Sequence, residues 1–526
     1  KASLSSQGLY ETISFALTNE ETFNKLNIPQ DSPLRKAVPI MNPLSDEYPL
    51  VRTTLLSSIF DNLARNLARK NDDVALFEVG SVFFPKALPV TELPDERMQF
   101  TLGMYGDGDF FNMKGVVEEF FEKIGMKGRE KYDPNAGKSF LHPGRQANII
   151  YDGKVVGNLA LMAGRKIAFE YSEEWLETGF SISPFSLPLK EQVFIPTKEY
   201  FGGLFGVFGD SLPDGWGNLL LNRMLRKKGM KPEEMTMLNR LAIVGQYGMG
   251  ALTYRPEEHF SFEPQGYDLD DLALQCQKIL NTEYSEKLDE LYLLGGTSGG
   301  ARPKIMTEID GEDWIIKFPA HVDGQDAGGM EYEYALCAKA CGIDMTEVRL
   351  FPSKKCKGYF GIKRFDRERI VDGIGTKVKA GNKKKRIHML TAAALLELDF
   401  EQPSLDYHSL MKLTKILTRD NEADVREMFR RMCFNVFAHN RDDHSKNFTY
   451  LYDEMKKGWR LSPAYDLTFS NTYYGEHTTM VDGNGRSPGK KELLAVGMQA
   501  GLEKSWCEEV IEKMKNTVEE RLERYL

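Results

Sequence analysis

The first 275 residues contain no cysteine, and the six that follow (Cys276, Cys337, Cys341, Cys356, Cys433 and Cys507) form no Cys-x-x-Cys pair. A disulfide framework and a thioredoxin-type redox motif are therefore out, and reduced, mostly buried thiols in a cytoplasmic protein are expected. Histidine is scarce too: there are eight, none before His142, and no two stand at zinc-ligand spacing. No apolar run approaches the roughly 18 residues of a spanning helix, so no membrane partner is expected. Basic residues are in deficit, 68 Lys and Arg against 77 Asp and Glu for a net charge of −9. That balance argues against a broad nucleic-acid surface, though not against a local basic patch. No secretory leader opens the chain. It starts at Lys1 and soon enters a strand-like segment, as a fragment beginning inside a larger protein would.

What is present is globular. Hydrophobic residues make up 41% and charged residues 28% of 526, enough for about two to four domains with cores of their own. Through residue 150, strand-like segments (Tyr10–Leu17, Ala75–Gly80 closed by a turn glycine, Met98–Tyr105) alternate with helical ones (from Thr18, Leu55–Arg69, Lys114–Ile124). This is an α+β pattern without a catalytic cluster. Ala147–Ala160 reads as a hairpin around Asp152-Gly153. Short strands are predicted at Ile167–Tyr171 and Phe185–Leu189. Phe205–Gly217 reads as a glycine-rich loop feeding a helix over Asn218–Lys228; its Asp210-x-x-x-Asp214 invites a metal reading, but Asp214 reads more ordinarily as a cap accepting backbone N–H groups. A glycine turn and a strand follow across 241–254, and Asp268–Glu290 is predicted helical.

Chemistry concentrates further on. In Leu294-Gly-Gly-Thr-Ser-Gly-Gly-Ala-Arg-Pro-Lys304, the close glycines, Gly299 and Gly300 among them, allow backbone N–H groups to approach phosphate oxygens. The strand Asp313-Trp-Ile-Ile-Lys317 carries a lysine among apolar residues, and such a lysine needs a counter-charge. Glu331, opening a helix to Cys341, offers one. Tyr359–Asp366, with Lys363 and Phe365, is the strand where a hinge touching adenine would lie. Ala438-His-Asn-Arg-Asp-Asp-His-Ser-Lys-Asn447 then packs acids, a lysine and an asparagine between a helix from Val425 to Phe437 and a strand from Phe448, and Asp466 stands on the next turn. Each piece alone is more ordinarily a solvated loop or a glycine turn. Together they follow the order of parts in a phosphoryl-transfer enzyme: glycine loop, strand lysine, helix glutamate, acid, metal asparagine, metal aspartate. The basic run Lys377, Lys379, Lys383, Lys384, Lys385 and Arg386 reads first as a solvated loop and second as a phosphate or nucleic-acid contact. Arg386–Glu397 and Trp506–Leu526 are predicted helices.

Two resemblances add to this reading. Gly8-x-Tyr10-Glu11, Asn42-Pro-Leu-Ser45, Val51-Arg-Thr-x-Leu55, Leu76-Phe-Glu-x-Gly80, Phe110-Phe-x-x-Lys-Gly115 and His142-Pro-Gly-Arg145 resemble, in order, the synthetase-like core domain of the bacterial phenylalanine–tRNA ligase beta subunit. That resemblance implies a catalytically silent domain of class II synthetase fold, an antiparallel sheet with helices, whose partner is the ligase alpha subunit. Phe208-Gly-Asp-Ser-Leu-Pro-Asp-Gly-Trp-Gly217, Gly295–Lys304, Ile316-Lys317-Phe, Lys363-Arg-Phe-Asp-Arg367, Asn440–Asn447 and Pro463-x-Tyr-Asp466 resemble the HipA-type serine/threonine protein kinases of toxin–antitoxin modules. That resemblance implies ATP and Mg²⁺ as cofactors and Asp442 as the acid that orients the substrate hydroxyl, with Asp443 a rival. It implies Lys317 on the phosphates and paired with Glu331, Asn447 and Asp466 on Mg²⁺, and His444 and Lys446 supporting the loop and the transferred phosphate. The family's autophosphorylation serine falls nearest Thr297, with Ser298 beside it. Its partners would be a protein substrate, plausibly an aminoacyl-tRNA synthetase, and a small helix-turn-helix antitoxin on DNA.

The expected architecture is therefore α+β and multidomain: a synthetase-like core over 1–150, a HipA N-terminal subdomain over 148–285, and a kinase-like N-lobe over 286–370. A helical C-lobe with the catalytic loop follows over 371–526. The expected function is protein serine/threonine phosphorylation. Its rivals are a structural fragment of the ligase and an ATP-binding pseudokinase.

Overall fold

The computed structural model describes all residues except 27, 31, 44–46, 107–109, 124–145, 163–164, 258–267, 321–322, 325, 370–383, 400–401, 403 and 473–474. His142–Arg145 and Lys377, Lys379 and Lys383 thus lie outside the described residues. The chain is α+β and splits into two compact units, residues 1–146 with 160–166 and residues 147–159 with 167–526. All six cysteines are free, and only Cys356 is not fully buried.

The first unit is built on a long hairpin, Val74–Phe84 against Asp95–Tyr105, with Tyr10–Glu11 pairing parallel to its first strand. The sheet is thus mixed rather than purely antiparallel. Helices Leu56–Ala68 and Phe110–Lys123 accompany it. Two expectations fail for physical reasons. The alternating run Tyr10–Leu17 is not one strand, because Ser14 gives its backbone N–H (3.3 Å) and hydroxyl (3.0 Å) to the Glu78 carboxylate instead of to a ladder. Gly80 closes no turn but sits mid-strand opposite Gln99. A Cβ there would strike the guanidinium of Arg52, which is buried and pairs with buried Glu78 at 2.9 Å.

The second unit opens with a five-stranded sheet in the order Val193–Phe194, Ile167–Tyr171, Lys154–Leu161, Gln146–Tyr151, Thr253–Arg255. Asp152 (φ 45°) and Gly153 (φ 80°) turn its hairpin. Phe185–Leu189 adds no strand, since a turn closed by Leu187 N–H on the Ser183 carbonyl (2.8 Å) replaces it. Helices Gly215–Lys227, Met237–Val244, Leu269–Leu280 and Leu288–Gly295 follow. The acidic stretch 268–290 breaks at Thr282, which takes a left-handed φ of 64°.

Next comes a four-stranded antiparallel sheet ordered Lys304–Ile309, Glu312–Lys317, Tyr359–Lys363, Val348–Phe351. Strand alternation sends its residues to opposite faces. Trp314 and Ile316 join Trp216, Leu220 and Leu291 in one core. Ile315 and Ile362 pack with Ala335 of helix Ala327–Ala340 on the other face. Lys317 belongs to that second face.

The remainder is mainly helical: Tyr407–Leu417, Glu422–Phe437, Lys490–Gln499 and Lys504–Leu522. Asn421 caps the second of these through Ala423 N–H (3.1 Å). The helix expected over 386–397 shrinks to Ala392–Leu396 after strands Lys384–Arg386 and Met389–Thr391, because Thr391 caps it at Ala394 (3.1 Å) and fixes a later start.

Replacing Arg52 by Met would strand the Glu78 carboxylate in the interior at a cost of about 3–5 kcal/mol. Hydrogen exchange of the amides in Val74–Phe84 should accelerate accordingly in R52M, and unchanged protection would show that the pair does not hold this sheet.

Candidate active site

Lys317 ends its strand with a nearly buried ammonium shared by two acids, Glu331 from the facing helix and Asp466 from the turn after Leu461. Burial alone would lower the lysine's pKa, but the charges of Asp466 and then Glu331 outweigh it and hold the pKa above the ordinary lysine range. For Asp466, burial pushes up, yet Lys317 and then Lys304 keep it well below the usual carboxylate range. Glu331 is raised, first by burial and then by repulsion from Asp466, against the pull of Lys317. One lysine between two acids thus favours the fully charged form of Asp466. The turn that presents Asp466 holds a left-handed φ of 53°.

Lys304 is a second buried lysine in this place, cross-strand from Lys317. It bonds the carbonyl of Gly299, and burial lowers its pKa despite the nearby Asp466. The sequence offered it only as the basic end of the glycine string, not as a site residue. The glycine loop starts where helix Leu288–Gly295 stops. Gly299 and Gly300 are exposed, the latter at φ 90°. Thr297 and Ser298 face inward, with hydroxyls bonded to the carbonyls of Tyr247 (2.7 Å) and Gly295 (2.5 Å).

The polar loop after helix Glu422–Phe437 separates its two acids clearly. Asp443 is fully buried and accepts from Tyr407 Oη (2.9 Å), the Thr479 amide (3.1 Å) and His477 Nδ1 (3.1 Å). The Asp442 side chain is 58% exposed, with His444 Nε2 3.8 Å away. Its pKa is raised, by burial first and then by Asp466 and Asp443, with His444 opposing. Asn447 donates its amide to the Asp442 carbonyl (2.7 Å), which leaves the side-chain oxygen as an acceptor. Buried Asn440 links the Asn435 side chain (2.9 Å) to the Asp466 carbonyl (3.4 Å), tying the loop to the Asp466 turn from behind. Lys446 pairs with Asp214 at 2.9 Å.

Among the residues expected at a hinge, Phe365 stacks obliquely on Tyr465, beside Asp466, at 5.7 Å between centroids. Lys363 lies cross-strand from Trp314, on the sheet face opposite Lys317, and pairs with Glu312 (2.8 Å). The strand register thus turns Lys363 away from the other residues. The described end of the basic run is also engaged internally. Lys384 pairs with Glu308 and Asp313, Lys385 pairs with Glu454, and Arg386 donates to the carbonyls of Gln246, Gly248 and Gly250.

Among the described residues no group of three or more His, Cys, Asp or Glu could hold a metal ion, so a thiolate or imidazole cage is absent there. Asn447 and Asp466 supply oxygen only. That set suits Mg²⁺, which relies on one or two carboxylates and completes its shell with phosphates and water.

Residues 296–522 match the model of the HipA-like C-terminal domain, residues 147–255 that of the HipA N-terminal domain, and residues 1–163 that of the phenylalanyl tRNA synthetase beta chain CLM domain. The phenylalanine–tRNA ligase beta subunit of Clostridium acetobutylicum is 39% identical over 156 residues, and that of Clostridium tetani 36% identical over 152. These alignments cover 30% and 29% of this chain, and the chain spans 19% of each relative's length. The second unit's fold is similar to a Shewanella oneidensis MR-1 structure of the toxin–antitoxin system HipA, HipB and operator DNA. That match has a TM-score of 0.54 at 17% identity and covers 72% of this chain and 90% of that one. No described helix is long and apolar enough to cross a membrane. The chain thus matches, in sequence order, a phenylalanyl tRNA synthetase beta chain domain and then the HipA N-terminal and HipA-like C-terminal domains.

Proposed function

We propose that residues 147–526 act as a HipA-type serine/threonine protein kinase, the toxin of a toxin–antitoxin module in the cytoplasm. The observation that carries this reading is the Lys317 ammonium held between Glu331 and Asp466 beside the Asp442–Asn447 loop. ATP would supply the phosphoryl group, and Mg²⁺ would neutralise charge on its phosphates. Lys317 and the amides of Gly299 and Gly300 would bind those phosphates, and Asn447 and Asp466 would hold the metal. Asp442, accessible and with a raised pKa, would orient the substrate hydroxyl and accept its proton. Asp443 cannot share that role while its carboxylate is buried under three donors. The HipA–HipB–DNA assembly of the structural neighbour favours a small helix-turn-helix antitoxin on DNA as partner. An aminoacyl-tRNA synthetase is the substrate class we favour.

The test is phosphate transfer from labelled MgATP. D442A should abolish transfer while ATP affinity stays within a few-fold, and D466N should weaken Mg²⁺-dependent nucleotide binding. D443A should instead lower stability by about 3 kcal/mol or more, because it strands three buried donors. A fully active D442A would end the kinase reading.

The inward hydroxyls of Thr297 and Ser298 leave no room for a phosphate in this loop position. A phosphate there would carry roughly −1.5 to −2 charge beside the proposed nucleotide site, so modification should expel the loop and switch activity off. Mass spectrometry after incubation with ATP should find the phosphate on one of the two as activity falls. An unchanged time course in the Thr297→Ala, Ser298→Ala double variant would rule this out.

A second reading concerns residues 1–146 alone. Ile13 (87%), Phe15 (88%) and Met98 (71%) leave apolar side chains exposed on this unit, which favours association with a ligase alpha subunit. Co-purification with an alpha subunit that is lost in Phe15→Asp would support it, and co-purification unaffected by that change would refute this face.

A further inference from the structure

We propose that Asp214 is a positioning residue of this site, a bridge that keeps the glycine loop and the polar loop in register. The inference rests on the kinase reading of residues 147–526. One carboxylate oxygen of Asp214 accepts the Gly300 amide (2.5 Å) and the other accepts the Lys446 ammonium (2.9 Å). The three residues come from three separate segments. Asp214 stands at the N-cap of helix Gly215–Lys227, yet it makes no side-chain bond to that helix. The expectation of an ordinary capping aspartate is thereby corrected: both oxygens serve other segments.

The backbone around Asp214 is fixed against the glycine loop. The Trp216 amide donates to the Gly300 carbonyl (3.0 Å), and the Trp216 ring is buried. Gly215 takes φ 23°, and a Cβ there would press on the Gly300 carbonyl and Ala301. A Cβ at Gly217 would overlap the Gly296 carbonyl at 2.1 Å. Side chains are therefore barred where the segment and the loop touch, and the carboxylate sits on a main chain that has no room to swing away. The Asp214 backbone is thus wedged between core and loop, and its two side-chain contacts hold the carboxylate between the glycine loop and Lys446. The carboxylate limits the directions open to the Lys446 ammonium and keeps its charge beside the glycine loop, where a transferred phosphoryl group would lie. Misplacement of such a group by about 1 Å can cost about 100-fold in rate.

The experiment measures phosphate incorporation from labelled MgATP into the full-length protein and into dephosphorylated casein, alongside ATP affinity by equilibrium titration. D214N keeps an oxygen for the Gly300 amide and removes the charge that holds Lys446. The rate at saturating ATP should fall about 10- to 100-fold with KM for ATP within three-fold, and D214E should recover part of the loss. In a Lys446→Ala background, D214N should change the rate less than two-fold, as expected for two residues acting through one contact. A faster or tighter-binding D214N would identify a blocking group and overturn the proposal, as would fully additive effects of D214N and K446A. If D214N does not fold, the comparison of D214E with wild type decides, because an unchanged rate with the longer side chain overturns positioning. An Asp442→Ala control separates the layers. Activity lost in D442A but intact in D214N refutes this inference alone, and activity intact in D442A refutes the kinase reading beneath it.

Discussion

A buried ammonium is the constraint on which the second unit depends. Lys317 lies on a sheet face packed by Ile315, Ile362 and a helix, and a charge there is tolerated only with partners in place. The partners come from two distant segments, the helix carrying Glu331 and the turn carrying Asp466. Satisfying one charge therefore fixes the helix against the sheet and brings the last third of the chain to the same point. The left-handed φ of Asp466 is a local cost that this pairing offsets.

Behind that charged centre lies a buried hydrogen-bonded scaffold. Asn435 donates to Tyr407 Oη, Tyr407 to Asp443, and Asn440 joins Asn435 to the backbone of Asp466. Here the donors converge on Asp443, which explains how two adjacent acids with the same chemistry come to such different exposures. The network consumes the Asp443 carboxylate as a post and leaves Asp442, the residue before it, exposed.

Much of this was legible in the sequence, for identifiable reasons. The glycine loop, Lys317, Glu331 and the polar loop are local strings whose order carried the inference. Lys304 was legible too, though only through register: the turn at Asp310 and Gly311, with φ 55° and 76°, is a two-residue hairpin signal, and counting outward from it places Lys304 opposite Lys317. Lys363 sits on the far face by a register with Glu312–Lys317 that no hairpin sets, so no count along the sequence reveals it. Gly80 illustrates the opposite case. A glycine after an apolar run suggests a turn, and nothing local reveals that an arginine from residue 52 fills the space of its missing side chain. The split of helix 268–290 and the late start of the helix at Ala392 are boundary effects, set by one left-handed residue and one threonine cap.

Long-range contacts of Asp214 and Tyr247 lie beyond any local string, and they bear on why residues 147–255 accompany the later domain. Tyr247 accepts the Thr297 hydroxyl, Asp214 accepts the Gly300 amide, and a Cβ at Gly215 or Gly217 would strike the loop's carbonyls. The glycine loop's position is thus set by the earlier segment on several sides as well as by Lys304 of its own strand. Glycine-rich backbone has many alternatives to an ordered turn and loses more entropy than other residues on settling into one. An outside template that supplies acceptors at fixed points and excludes side chains at others offsets that loss. The loop's order and the integrity of the segment 205–250 are then one property, so a change that frees the Thr297 hydroxyl from Tyr247 acts on the whole edge of the site.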